Sequence, residues 1–169
     1  MLTRIPPRLA FFLIFLFCTG LITAGLILQH FKGLHPCPMC IMQRYAFMTC
    51  GLVALLAALH NPGNTGRRVY GALLAISAVA GIGVAIRQSW LQIFPSPEVM
   101  CGPDLSYMVN AFPLGQALPM IFNGDGDCSK IDWTFLGLSL ANWAIVFFAL
   151  VIVASIWQTL RSYPRRTFG

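Results

Sequence analysis

Leu9–Leu28 runs for twenty residues without a charged side chain. As a helix it would be about 30 Å long, which matches the hydrocarbon core of a bilayer. A cleaved signal peptide would need a shorter apolar region and a small-residue cleavage site, and neither is evident here. Three more stretches of this kind follow: Ile41–Leu59, Val69–Ile86 and Leu138–Trp157. The whole chain is 57% hydrophobic and only 9% charged, against about 25% charged for soluble domains. The expectation is an all-α membrane protein: one four-transmembrane-helix bundle over residues 1–169, with no repeat and no second domain.

Two connections break the pattern. The first, Gln29–Met39, is short and polar-edged. The second, Arg87–Gly137, exceeds the usual 12–15 residues by far, yet it is too apolar for disorder. Pro113 and Pro119 divide it, and Ser106–Phe112 is expected to lie as a short helix on the membrane surface. The remaining connection, His60–Arg68, is a tight turn.

Basic residues set the orientation. Arg4, Arg8, Arg67, Arg68, Arg161, Arg165 and Arg166 are seven of the eleven, and all fall on one side. The positive-inside rule puts that side, with both termini, in the cytoplasm, and the connections Gln29–Met39 and Arg87–Gly137 outside. The net charge of +6 is too scattered to form a nucleic-acid stripe. The partner it suits is the lipid bilayer.

The chemistry concentrates at Cys37-Pro38-Met39-Cys40, with Arg44 following. Proline is tolerated in the first turn of a helix but not its interior, so Pro36 and Pro38 place the helix start near Pro38. Cys37 then caps the helix and Cys40 lies in its first turn, within disulfide reach. Arg44, at i+4 from Cys40, projects from the same face and would favour the reactive thiolate there. His35 is a further candidate, able to polarise Cys37.

Six cysteines are present. Cys18 and Cys50 lie inside spans and read as small apolar packing residues. The other four, Cys37, Cys40, Cys101 and Cys128, all fall on the outer side, where disulfides persist. Three pairings are open, and local spacing favours Cys37–Cys40 with Cys101–Cys128. Two inert staples would be the bland reading. A bridge over so short a loop removes little unfolded-state entropy, so Cys37–Cys40 would be a poor staple. Cys101–Cys128 could serve as one. A four-thiolate zinc site is the other rival, but the second pair lacks knuckle spacing. Gly81-Ile82-Gly83 lacks a phosphate-loop context and reads as helix packing. The turn Asn123–Asp127 lacks the glycine and glutamate of a calcium loop.

Four spans, Cys-Pro-Met-Cys with Arg44, and the outer pair Cys101 and Cys128 together resemble the DsbB family of bacterial inner-membrane disulfide-generating proteins. Trp90–Pro97 ahead of Cys101, and Gly126-Asp127-Cys128 followed by Trp133–Gly137, are similar to that family as well. The resemblance implies a protein-dithiol oxidase that reoxidises a DsbA-like periplasmic partner and passes the electrons to a membrane quinone, ubiquinone or menaquinone. It implies that Cys101 meets the partner, that Cys128 relays to Cys37, and that Cys40 faces the quinone with Arg44 beside it. Gln88 stands where familiar members carry a histidine near the quinone. Gln88 can donate a hydrogen bond but cannot carry a proton. Two alternatives compete. A quinone reductase of the vitamin K epoxide reductase type would have its cysteine-bearing loop ahead of the C-x-x-C, the reverse of the order here. A non-enzymatic membrane scaffold with structural disulfides would show no quinone reduction.

Overall fold

A computed structural model of the chain describes residues 6–33, 37–94 and 134–160. Among these residues it contains four long helices and one small hairpin. The helices are α1 (Pro7–Lys32), α2 (Pro38–His60), α3 (Asn64–Ile93) and α4 (Leu140–Leu160). The hairpin strands are β1 (Thr134–Phe135) and β2 (Leu138–Ser139). All four helices are long and apolar enough to cross a membrane.

The helix ends follow from local chemistry. Pro7 opens α1 at a position whose N–H needs no partner. Gly33 closes it at φ 63°, donating its N–H to Gln29 O. Asn61, at φ 43°, ends α2 in the same left-handed conformation and donates to Ala57 O. Only Asn61–Gly63 separate α2 from α3, so these two helices form an antiparallel hairpin.

Successive helices pack against one another along the chain order, whereas α1 and α4 meet much less. The core joins Phe11, Ile14 and Cys18 of α1, Phe47, Cys50 and Ala54 of α2, Leu74 and Ala78 of α3, and Ala144, Phe148 and Val151 of α4. Phe47 and Phe148 stack at 3.8 Å with their planes 6° apart. Phe17 and Phe147 bring α1 and α4 together edge to face at 5.8 Å. Large apolar residues such as Leu16, Leu52, Ile76 and Val153 lie on the outside. In water such a surface would aggregate, but in lipid it is the proper solvent face. Cys18 and Cys50 are wholly buried in this core, as packing residues should be.

Several boundaries differ from the sequence reading. α1 continues past Leu28 to Lys32, so the first loop is shorter than Gln29–Met39. α3 does not stop at Ile86 but carries Arg87, Gln88 and Ser89 in its last turns and ends at Ile93. Hydropathy marks where lipid ends, not where the helix ends. At thirty residues α3 spans about 45 Å, well beyond the hydrocarbon thickness. The second loop therefore starts at Phe94 rather than Arg87. α4 begins at Leu140, because Leu138 and Ser139 pair with Phe135 and Thr134 in the hairpin. Leu136 and Gly137 turn it with φ 53° and 78°, the positive pair that a two-residue hairpin requires. Arg67, read as a charge in the turn, is buried, while Arg68 is exposed. The helix expected around Ser106–Phe112 lies outside the described residues.

Candidate redox site

Cys37 is the N-cap of α2, with extended backbone at φ −66° and ψ 160°, and Pro38 follows at the first helical position. The Cys37 sulfur accepts the Cys40 N–H at 3.3 Å, a sulfur doing the work of a capping oxygen. This cap holds both side chains on one turn. Cys37 Sγ and Cys40 Sγ lie 2.9 Å apart as a hydrogen-bonded dithiol. Cys37 is buried against Met39, Val84 and Leu91, while Cys40 keeps partial exposure. The pair is thus asymmetric: Cys37 is 8% exposed, packed against α3, and Cys40 is more open.

The last turns of α3 supply the polar roof. Gln88, 3% exposed, directs its amide Nε2 at both sulfurs, donating to Cys40 Sγ at 3.1 Å and Cys37 Sγ at 3.4 Å. Its Oε1 accepts the Nε2 of buried Gln43 at 2.7 Å. Amide donors aimed at sulfur favour a negative charge there without providing a proton carrier.

Arg44 lies one turn after Cys40, as its spacing predicts, but its Nη1 donates to Gln29 Oε1 on α1 at 2.7 Å rather than to sulfur. A guanidinium has five N–H donors, so the bond to Gln29 leaves donors for a further acceptor.

The return of the second loop is tied to the same end of the bundle. Ser139 donates to Gln92 Oε1 at 2.7 Å, and Ser89 donates to Asn142 Oδ1 at 2.8 Å. Trp143 Nε1 donates to Phe135 O at 2.9 Å, clamping the hairpin onto α4. Ser89 and Gln92 lie within one turn of Gln88, so the hairpin is anchored beside the dithiol. Cys101, Cys128 and His35 lie outside the described residues.

Of the residues singled out in the sequence, the structure brings together Cys37, Cys40 and Gln88, with Arg44 one turn away on α1's side. Gln43 and Gln29 were missed as partners. Both are uncharged, and only the register of neighbouring helices reveals what they face.

Known proteins resemble this chain over most of its length. The family model described as disulfide bond formation protein DsbB matches residues 7–158. The chain is 55% identical over 154 residues to disulfide bond formation protein B of Aromatoleum aromaticum, covering 91% of this chain and 93% of that one. It is 55% identical over 150 residues to the protein of the same name from an Azoarcus species, covering 89% and 90%. The namesake in Saccharophagus degradans is 49% identical over 162 residues, covering 95% and 98%. The chain belongs to the DsbB family of membrane thiol oxidases, disulfide-generating oxidoreductases that span the bacterial inner membrane several times.

Proposed function

We propose that Cys37 and Cys40 are the redox centre through which this chain reoxidises a DsbA-like periplasmic partner at the expense of a membrane quinone, ubiquinone or menaquinone. The observation that carries this reading is the asymmetric dithiol at the start of α2, with Gln88 Nε2 donating to both sulfurs. An inert staple would have no use for buried donors aimed at its sulfurs.

The relay is a series of thiol–disulfide exchanges. A partner thiolate attacks Cys101 of the Cys101–Cys128 disulfide, forming a mixed disulfide and releasing Cys128 as thiolate. Cys128 attacks Cys37 of the oxidised Cys37–Cys40 pair, forming an interloop bridge and releasing the Cys40 thiolate. The partner's second thiolate resolves the mixed disulfide and frees Cys101. Cys101 then attacks Cys128, restores the outer disulfide and leaves Cys37 and Cys40 reduced. Each exchange breaks one S–S bond and makes one, so the partner's two electrons end on the inner pair. Cys128 is six residues from Thr134, a reach of at most about 20 Å from the anchored hairpin. Burial of Cys37 in the closed dithiol means that the arriving loop must displace part of its cover.

The donors at this end suit a quinone, whose two carbonyl oxygens accept hydrogen bonds and carry none to give. Arg44, through the N–H groups not committed to Gln29, and Gln88 would hold it. A bound quinone supplies the sink, taking two electrons and two protons to become the quinol. Such a sink is needed because the DsbA couple has an established potential of about −120 mV, which makes its reduced form hard to oxidise. Gln88 cannot relay a proton, so protons from the thiols leave by another path. Gln88→His is expected to retain turnover while changing the apparent quinone affinity or the rate. Steady-state kinetics with a short-chain quinone check this, and complete loss of activity would contradict the place given to Gln88.

Both termini are cytoplasmic in this reading and both cysteine pairs periplasmic. After reduction, a membrane-impermeant maleimide added to intact spheroplasts should label Cys40 of the inner pair and the outer pair alike. Labelling of either pair from the cytoplasmic face alone would overturn the relay.

A further inference from the structure

We infer that Gln43 is a positioning residue: it fixes which end of the Gln88 amide meets the redox sulfurs. This rests on the reading of Cys37 and Cys40 as the redox pair. A glutamine amide presents a donor at one end and an acceptor at the other, and a half-turn exchanges them. At the sulfurs the two ends have opposite effects. The N–H end favours a thiolate, while the oxygen end repels it and suits a protonated S–H.

Nothing in the Gln88 side chain itself selects between these states. The bond from Gln43 couples the two amides: with Gln43 Nε2 donating to Gln88 Oε1 at 2.7 Å, Gln88 can reverse only if Gln43 reverses with it. With Oε1 engaged, Nε2 is left to face Cys40 at 3.1 Å and Cys37 at 3.4 Å. Both glutamines are more than nine-tenths buried, so water does not compete for the bond and the cost of a mismatched pair is high. Gln43 touches neither sulfur in this network and acts through Gln88. The four groups form one line from α2 to α3 and back to α2: Gln43, Gln88, Cys40 and Cys37.

Gln43→Glu reverses the line. An ionised carboxylate at position 43 can only accept, so the Gln88 amide would turn its Nε2 toward that carboxylate and its Oε1 toward the sulfurs. Gln43→Met keeps the length and apolar volume and removes the selection without imposing the reverse. The test uses the full-length protein in detergent, fully reduced and without quinone or partner. Iodoacetamide alkylation of Cys40 is followed by mass spectrometry at fixed neutral pH. Losing a hydrogen bond to a charged group should slow Cys40 alkylation on the order of tenfold in Gln43→Glu and by less in Gln43→Met. In a Gln88→Met background Gln43→Met should not slow it further, because the amide through which Gln43 acts is gone; Gln43→Glu is compared with wild type only, since its charge also acts on the Cys40 thiolate directly.

Equal alkylation in wild type and Gln43→Met overturns the proposal, as does a Gln43→Met effect that persists undiminished in the Gln88→Met background. If Gln43→Glu does not fold, Gln43→Met and its double variant decide the matter alone. Alkylation needs no quinone and no partner, so its result stands apart from whether the protein turns over.

Discussion

Cys40→Ala is expected to abolish quinone reduction with a reduced DsbA-like partner, by at least about a thousandfold. The substitution leaves Cys37 without the sulfur that lies 2.9 Å away, so no disulfide can close at the start of α2. Electrons arriving from the outer pair then have nowhere to go. Met39 and the Cys37 cap remain, so the helix start itself should survive. Cys101→Ala provides the contrast. In the proposed relay it removes the sulfur that the partner attacks but leaves the inner pair intact. Partner oxidation should stop, while a small dithiol such as dithiothreitol, able to reach the partly exposed Cys40, should still drive quinone reduction. Partner oxidation at full rate in Cys101→Ala would mean that the order of the relay is wrong.

Gly81→Val is expected to produce a large loss of stability. A Cβ at Gly81 would meet three ring carbons of Phe148 at 2.4, 2.5 and 2.7 Å, closer than real side chains approach. Phe148 is wholly buried and stacked on Phe47 at 3.8 Å, so the ring cannot simply step aside. Overpacking of this kind costs about 1–3 kcal/mol for a single methyl group, and Val adds two more carbons. Close approach of helices at small residues also supplies much of the packing that holds membrane helices together. Gly83→Ala is the matched control, because nothing lies within 4 Å of a Cβ there. Thermal unfolding in detergent should show a clear drop for Gly81→Val and almost none for Gly83→Ala. Equal midpoints would contradict the packing.

The sequence was most legible where chemistry is local. Pro38 announces the start of α2, and that start alone places Cys37 at the cap and Cys40 one turn in. Uncharged runs announce the spans. Helix ends were less legible, because Arg87 signals a lipid boundary while the backbone of α3 continues helical to Ile93. The hairpin before α4 was missed for a different reason: its strands are two residues each, too short for any alternation to register. Leu136-Gly137 was its only local sign. Least legible was the polar network. Gln43 and Gln88 are 45 residues apart, and their meeting depends on the register between α2 and α3, which the packing of the whole bundle sets. The sequence also led toward Arg44 as the group acting on Cys40. The structure adds a direct bond from Gln88 to Cys40 and shows Arg44, still one turn away, bonded to Gln29, with further N–H donors for another acceptor.

The central claim is that the inner pair couples partner oxidation to quinone reduction. It is tested most directly by mixing the purified protein with a reduced DsbA-like partner and a short-chain quinone, following quinone absorbance while counting partner thiols. The account predicts one quinone consumed for every two partner thiols lost, and neither consumed in Cys40→Ala. Partner thiols that disappear while quinone absorbance stays constant would contradict it.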